Sequence, residues 1–353
     1  MLRPRFNIFF KHAFLLAGLL LTLSASSQGR EPHFDSLLLI LKTAKHDTVR
    51  VKTYADLTDA CDLDEIMTYA IPGIKICEKA ISQKSAPGRF YLWYYAGLLN
   101  NVGYYHSRHG DVSKALEYYK KAAGILEKIN SRIEAAILLN NIAYIYQNQG
   151  DVRRALEYYF ENLRVQESLK DDKGMGYTLS NIGYTYDIQG DQAKAEEYYN
   201  KALEVYKRTG DKSGLAMVTV NQGLLFKKKD QRKTLAYYKK ALAIFEEAGD
   251  THGIAQTLNN VGSMYGDLNQ LDTALMCSYR SLALVEKYGY NDVLGTTYIT
   301  LARSLLKTGR YAEARKYALQ SLALARKRGS PLELRSVANV LKDIYRKQNN
   351  FKD

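Results

Sequence analysis

The chain has 353 residues and a formal net charge of +13, with 50 Lys and Arg against 37 Asp and Glu. Its cysteines are odd in number and lack metal-ligand spacing, which excludes a fully paired disulfide framework and a cysteine-based metal site. We therefore expect three small, buried apolar side chains at Cys61, Cys77 and Cys277.

The first segment has the layout of a signal peptide. Basic residues precede an apolar run from Ala13 to Leu23, and Ala25 and Ser27 suit a cleavage site before Gln28. A membrane anchor is the alternative, but the apolar core is shorter than the ~20 residues that span a bilayer. We predict a signal peptide at residues 1–27 and an exported protein, periplasmic or secreted, with a membrane tether through an uncleaved segment as the alternative.

Removal of this segment would leave a net charge of about +10, because it contains only basic charges. An exported protein does not meet the chromosome, so the sequence predicts no nucleic-acid partner. Acidic protein segments, anionic polysaccharide or lipid head groups are possible partners, or the charge serves solubility alone. Most Lys and Arg alternate with Glu on predicted helix faces, which favours solubility.

Residues 30–85 form a degenerate leading repeat, as is common at the ends of helical arrays. Helices are predicted around residues 48–59 and 64–82. Pro72-Gly73 should kink or interrupt the second helix, because Pro removes a helical hydrogen bond and clashes with the preceding turn.

From residue 86 onward a unit of about 40 residues recurs. An Asn marks five successive units, at Asn101, Asn141, Asn181, Asn221 and Asn260. Apolar residues at i, i+3, i+4 and i+7 predict helices, and a Gly-Asp pair divides the unit into two of them. The Gly can end the first helix in the left-handed conformation and the Asp can cap the second, at Gly110-Asp111, Gly150-Asp151 and Gly190-Asp191.

Small residues also recur at matched positions. The eighth residue of each first helix is Gly103, Ala143, Gly183, Gly223, Gly262 or Ala302. The second helices open with Ala115, Ala155, Ala195, Thr234, Ala274 and Ala314, and a Tyr follows at Tyr119, Tyr159, Tyr199 and Tyr238. This pattern resembles the tetratricopeptide family, and the long period is similar to that of Pins-type adaptors and kinesin light chains.

The resemblance implies an all-α fold, a right-handed α-solenoid of stacked antiparallel helix pairs. It implies six repeats over residues 86–329 and a partial repeat or capping helix over 330–353. Capping boxes are expected at Ser131 with Glu134 and at Ser330 with Glu333, where Pro331 takes the first helical position.

The fourth repeat departs from the pattern. Gln222 replaces an aliphatic residue, the turn Gly is missing and Thr234 replaces Ala. A basic run marks the same turn, at Lys227, Lys228, Lys229, Arg232 and Lys233. This run is a possible anionic-ligand site or marks a bend in the superhelix; the simpler interpretation is a drifted repeat with a solvated turn.

In the tetratricopeptide family the concave side of the first helices binds ligands. The resemblance places a ladder of amides there, at Asn101, Asn141, Asn181, Asn221 and Asn260, and aromatic residues at Tyr104, Tyr144 and Tyr184. Amides can pair with the backbone of an extended peptide while Tyr stacks on its side chains. Equally, such an Asn can bond to the neighbouring helix and hold the stack together.

Catalytic motifs are missing from the sequence. His106 and His109 could offer two metal ligands, but no third is placed to join them. We predict no enzymatic activity, no metal and no cofactor, and a scaffold that binds a protein or an extended peptide. The alternative is a sensor module of a two-component or helix-turn-helix signalling system, with the output domain missing or separate. Nucleic-acid binding through residues 227–233 is a third hypothesis, and it requires a retained signal segment.

Overall fold

The computed structural model describes residues 32–328 and 331–348, and every regular element within these ranges is helical. The predicted signal peptide and the Ser330 cap lie outside the described residues. The helices are α1 (Pro32–Thr43), α2 (Asp47–Ala60), α3 (Ile66–Ser82), α4 (Gly88–Arg108), α5 (Val112–Lys128), α6 (Arg132–Asn148), α7 (Val152–Leu169), α8 (Asp172–Gln189), α9 (Gln192–Thr209), α10 (Lys212–Leu224), α11 (Gln231–Ala248), α12 (Thr251–Asp267), α13 (Leu271–Tyr288), α14 (Asn291–Lys307), α15 (Tyr311–Arg328) and α16 (Pro331–Lys347). A short 3-10 turn, Leu63–Glu65, precedes α3.

The chain divides into two compact units, unit 1 up to Val165 and unit 2 from Gln166. In unit 1, helices that follow one another in sequence pack together from α1 to α6, and α2 also contacts α4. We call α2, α4 and α6 the first helices of this unit, and α3 and α5 its second helices.

Unit 2 repeats the same arrangement. Its helix pairs are α8 with α9, α10 with α11, α12 with α13 and α14 with α15, and α16 packs on α15 and α14. Each pair also packs on the next through neighbouring helices, which is how a helical repeat buries the face that it cannot bury alone. The prediction of an all-α solenoid of stacked helix pairs is confirmed.

Small residues bring the two helices of a pair close together, as expected. A Cβ added to Gly103 would lie 2.7 Å from the Tyr119 ring, and one added to Gly183 would lie 2.7 Å from the Tyr199 ring. Both Tyr side chains are almost fully buried, so each aromatic ring fills the space that the missing side chain leaves. The three cysteines are buried and free, also as predicted.

The Gly-Asp turns adopt the conformations predicted from the sequence. Gly110, Gly150 and Gly190 have φ values of 81°, 77° and 88°, in the left-handed region that suits Gly. Each following Asp then accepts a hydrogen bond from a backbone N–H in the first turn of the next helix, at Asp111, Asp151 and Asp191.

The structure corrects two local predictions, the interruption of the second helix at Pro72-Gly73 and the capping box at Ser131. Helix α3 runs through Pro72 without interruption, and it is held on both sides, because Gly73 lies directly against Leu98 of α4 and Tyr54 of α2. Packing here outweighs the lost hydrogen bond. The capping box at Ser131 also does not form, since the Ser131 side chain makes no capping hydrogen bond.

The sequence interpretation also did not foresee helix α1, Pro32–Thr43. Phe34 and Leu37 of this helix are buried, and the Phe34 ring meets the Tyr69 ring of α3 edge to face. The leading unit therefore begins one helix earlier than the predicted pair.

Candidate binding pocket on the first helices

A pocket of about 420 Å³, part of it open to solvent, lies between the three first helices of unit 1. We call it the unit 1 pocket. Helix α2 contributes a carboxyl group, α4 contributes amides and aromatic rings, and α6 contributes a second carboxyl group. Its lining residues are Ala55, Asp59, Trp93, Tyr94, Ala96, Gly97, Asn100, Asn101, Leu126, Glu134 and Leu138.

A chain of hydrogen bonds between side chains crosses the three first helices at this pocket. Asn141 of α6 donates from Nδ2 to Oδ1 of Asn100 at 2.8 Å, and Asn100 donates to Oδ1 of Asn101 at 3.3 Å. Asn101 then donates from Nδ2 to Oδ1 of Asp59 at 2.7 Å. Two members of the predicted amide ladder, Asn101 and Asn141, therefore hold neighbouring helices together, while Asn100 and Asn101 also line the pocket.

The carboxyl group of Asp59 is electrostatically unusual. Burial, the largest effect, raises the pKa of Asp59, the hydrogen bond from Asn101 lowers it and the charge of Asp56 raises it, and together they bring it to about 7. Removing a carboxylate from water disfavours its charged form, and here no cation offsets that penalty among the groups that act on it. The group is therefore poised between its neutral and charged forms near neutral pH.

Glu134 of α6 contributes the second carboxyl group of the pocket. Instead of closing the predicted capping box, its Oε1 accepts a long hydrogen bond of 3.5 Å from the indole Nε1 of Trp93. The two carboxyl groups of the pocket are thus each oriented by a neutral donor from α4.

Aromatic rings form the remaining wall. Tyr94 is buried, packs edge to face on Trp93 with ring centroids 4.9 Å apart, and lies 4.5 Å from the Phe90 ring. Burial raises the pKa of Tyr94 to about 12, with Asp56 and Asp59 adding to the effect, so this phenol stays neutral at physiological pH. Such a wall offers apolar surface with a polar edge.

The sequence interpretation missed Asp59, Trp93 and Glu134 as pocket residues. A signal for one of them was present, because Trp93 precedes Gly97 by four residues and Asn101 by eight, which places all three on one helix face. No comparable signal connects Asp59 and Glu134, which line the same pocket only through the packing of α2, α4 and α6.

The remaining ladder residues lie in unit 2. Asn181, Asn221 and Asn260 are half-buried, as are Tyr104 and Tyr144 in unit 1 and Tyr184 in unit 2. In unit 2 a buried amide beside this ladder, Asn259, donates from Nδ2 to the Thr297 hydroxyl at 2.9 Å. The helix-to-helix role of such amides therefore occurs in both units.

The basic run lies in unit 2, in the turn after α10 and the first residues of α11, and its side chains are exposed. We call residues 225–233 the basic turn. Lys229 donates to Gln192 at 2.6 Å, and the Lys233 ammonium lies 3.6 Å from the centre of the Phe226 ring. Lys228 acts on Asp187, whose pKa burial raises and Lys228 lowers. Much of this positive charge therefore interacts with groups of the same turn and its neighbouring helix.

The two histidines considered as metal ligands have other contacts. The His106 ring stacks on Tyr118, and His109 Nδ1 lies 2.9 Å from the Tyr105 carbonyl. In the described residues no group of three or more His, Cys, Asp or Glu side chains could hold a metal ion. None of the described helices is long and apolar enough to cross a lipid bilayer.

Comparison with known families gives a match to the tetratricopeptide repeat model over residues 134–208, 214–287 and 253–327. These segments together cover more than half of the chain. The chain belongs to the tetratricopeptide repeat family. No curated protein gives a significant match to this tetratricopeptide repeat protein.

Several solved structures share this tetratricopeptide fold at low sequence identity. The apo form of the quorum sensor NprR from B. thuringiensis matches with a TM-score of 0.57 and 16% identity, covering 90% of this chain and 88% of that one. Aspartyl phosphate phosphatase F from Bacillus subtilis has a TM-score of 0.54 and 13% identity, covering 89% and 88%. A Rap protein complexed with Competence and Sporulation Factor has a TM-score of 0.52 and 17% identity, covering 89% and 97%. At these identities the similarity establishes the fold alone.

Proposed function

We propose that this tetratricopeptide repeat protein is a non-catalytic binding module that holds an extended peptide or a segment of a protein against the first helices of unit 1. The observation that carries the proposal is the unit 1 pocket, where amides, carboxyl groups and aromatic rings from α2, α4 and α6 converge. Convergent polar groups in an otherwise apolar pocket are typical of a binding site.

The amides of the pocket retain capacity for a ligand. Each Asn side chain offers two N–H donors and an oxygen with two lone pairs. Within the chain of hydrogen bonds, Asn100 and Asn101 each use one N–H and accept one bond on the oxygen. Among the described residues, one N–H and one lone pair on each therefore stay available, which matches the alternating donors and acceptors of a peptide backbone.

The structural neighbours support a regulatory or protein-binding role of this kind. NprR is described as a quorum sensor, and the Rap structure holds a factor bound to the protein. A fourth neighbour, a signal transduction ATPase from Pyrococcus horikoshii, has a tetratricopeptide repeat sensor. These descriptions favour, as a second candidate function, a sensor module that passes a binding event to a separate output protein.

The test uses two glycines that can each take a larger side chain. A Cβ added to Gly97 or to Gly124 meets nothing within 4 Å, and both glycines are inside helices. Only Gly97 lines the unit 1 pocket. Gly97→Leu should therefore fill the pocket without straining the fold, and Gly124→Leu on α5 is its matched control.

Short random peptides displayed on phage would be selected on the full chain and then tested on both variants. We expect the selected peptides to bind the wild type and Gly124→Leu, and to lose binding to Gly97→Leu. Thermal denaturation of both variants checks that they are folded. Peptides that bind all three proteins equally would show that the pocket is not the binding site.

We further propose that the protein is exported, on the basis of the signal-peptide layout of residues 1–27. Intact mass measurement on the protein from cell fractions of its native host tests this. A mass that matches residues 28–353 in the exported fraction is the expected result, whereas an uncleaved chain in the membrane fraction would favour the tethered sensor.

A further inference from the structure

We propose that the unit 1 pocket recognises the cationic side chain of a lysine or arginine in the bound peptide. This inference rests on the proposed function and names the chemistry of its ligand. The cation would lie between the carboxyl groups of Asp59 and Glu134, with its aliphatic stem against the apolar walls.

The charge of the pocket is opposite to that of the chain as a whole. The chain carries a formal net charge of +13, yet the described lining residues include two acidic side chains and no Lys, Arg or His. Asp56, one turn before Asp59 on α2, acts on the same carboxyl group. A pocket with acidic walls and low-dielectric surroundings concentrates a negative potential, which favours a cationic ligand.

Within the described residues, the two carboxyl groups bond to neutral donors and not to a cation. Asp59 accepts from an amide and Glu134 from an indole, both neutral donors. Neither carboxyl group takes part in a salt bridge among the described residues. A partly buried carboxylate without a counter-ion is unfavourable, and a ligand cation would supply that counter-ion.

The shape of the pocket suits one long side chain. The space between its lining residues, open solvent included, is about 420 Å³. Ala55, Ala96 and Leu138 provide apolar walls, and Gly97 leaves room at its rim. The methylene stem of Lys or Arg packs well on such surface while its charged end reaches polar groups.

The test compares selections on three full-length proteins. These are the wild type, the double variant Asp59→Asn with Glu134→Gln, and the control Glu117→Gln, which removes an exposed carboxylate on α5 outside the pocket. Both pocket substitutions keep the shape of the side chain and an acceptor oxygen. The probe is the same phage library of short random peptides.

We expect Lys or Arg to be enriched at one fixed position of peptides selected on the wild type and on Glu117→Gln, and not on the double variant. Peptides that depend on Gly97 but show no such enrichment, or show it equally on the double variant, would overturn the inference and leave the proposed function intact. If selection yields no peptide whose binding depends on Gly97, both the inference and the proposed function are wrong.

A quantitative arm uses Trp93, the one tryptophan of the chain, as a fluorescent reporter in the pocket. A synthetic copy of the most enriched peptide is compared with a copy in which norleucine replaces the basic residue. Norleucine keeps the aliphatic stem and lacks the charge. We expect affinity to fall roughly 10- to 100-fold, the range for a lost charge-assisted hydrogen bond. Equal affinity of the two peptides would contradict a cation site.

Discussion

The unit 1 pocket and the basic turn of unit 2 differ in how their charges are assembled. The basic turn collects its charges from a single run of sequence, exposes them, and pairs several with local groups such as Gln192 and Phe226. The pocket takes its two carboxyl groups from helices far apart in sequence, encloses them partly, and provides no cation. A run of charged residues in the sequence is thus a weak sign of a binding site. Like charges that the fold brings together without an oppositely charged partner are a stronger sign.

Reversing one charge in each region should give the largest difference in peptide affinity between the unit 1 pocket and the basic turn. Glu134→Lys would place a competing cation in the pocket, and we expect it to weaken binding of the selected peptide by more than about 100-fold. Lys229→Glu in the basic turn should change the affinity by less than about twofold, because exposed charges at a distance are screened. Fluorescence polarisation with a labelled peptide measures both. Similar losses in the two variants would mean that net charge, and not the pocket, attracts the peptide.

Neutralising Asp59 should stabilise the fold at alkaline pH. The unfolded carboxyl group titrates near 3.8 and the folded one at about 7. Between these values the unfolded state has lost a proton that the folded state keeps, so the wild type loses stability as pH rises, and the full cost is present above pH 7. Asp59→Asn removes this loss of stability, and its side-chain oxygen still accepts the hydrogen bond from Asn101. We expect a gain of roughly 1–3 kcal/mol near pH 8 in denaturant unfolding.

Near pH 4 the same variant should match the wild type within about 0.5 kcal/mol, because the carboxyl group is then protonated in the folded state. A destabilisation of similar size at both pH values would show that Asp59 is charged in the fold and held by a cation. A carboxyl group that lowers stability but is needed for binding is the pattern expected at a functional site.

Peptide affinity should increase with pH over the range in which Asp59 ionises. The other titratable groups at the pocket are Asp56 on the same helix, Tyr94 on α4, which stays neutral, and Glu134 on α6. With a pKa of about 7, roughly a tenth of the Asp59 groups are charged near pH 6 and roughly nine-tenths near pH 8. We therefore expect about tenfold weaker binding near pH 6, measured by Trp93 fluorescence.

Two single variants test whether Asp59 causes this pH dependence of peptide affinity. Asp59→Asn should bind weakly with no change across this range, while Glu134→Gln should bind weakly and keep the slope. A slope that survives in Asp59→Asn would assign the titration to another group of the pocket or to the peptide.

The repeat architecture could be predicted from the sequence because it depends on local and periodic features. Gly110 and Asp111 determine a turn within a few residues, and Gly103 marks the close approach that Tyr119 fills. The role of Glu134 could not be predicted in this way. Its sequence context favours a cap with Ser131, and only the approach of Trp93 from another helix shows where the side chain lies.

The amide ladder also shows what sequence spacing cannot predict. The amides Asn101 and Asn141 were recognised from their spacing, but spacing alone leaves open whether they face a ligand or a neighbouring helix. The structure shows that both donate to side chains of adjacent helices, and that Asn101 also lines the pocket and orients Asp59. A periodic residue can thus hold the stack together and support a site that is not periodic.

The smallest effect is expected from restoring the repeat pattern at the basic turn with Thr234→Ala. The buried hydroxyl of Thr234 donates to the Gly223 carbonyl at 3.1 Å and also lies 3.1 Å from the Asp230 carbonyl. Because α10 already ends at Leu224, this bond helps to join the short helix to α11. The substitution to the residue that other repeats use should therefore destabilise the protein, by roughly 0.5–1.5 kcal/mol. Thr234→Ser should restore most of the loss in thermal denaturation, since it keeps the hydroxyl. If Thr234→Ala instead stabilises the protein, the fourth repeat has simply drifted from the repeat pattern. Peptide affinity should be unaffected in every case, because the basic turn forms no part of the unit 1 pocket.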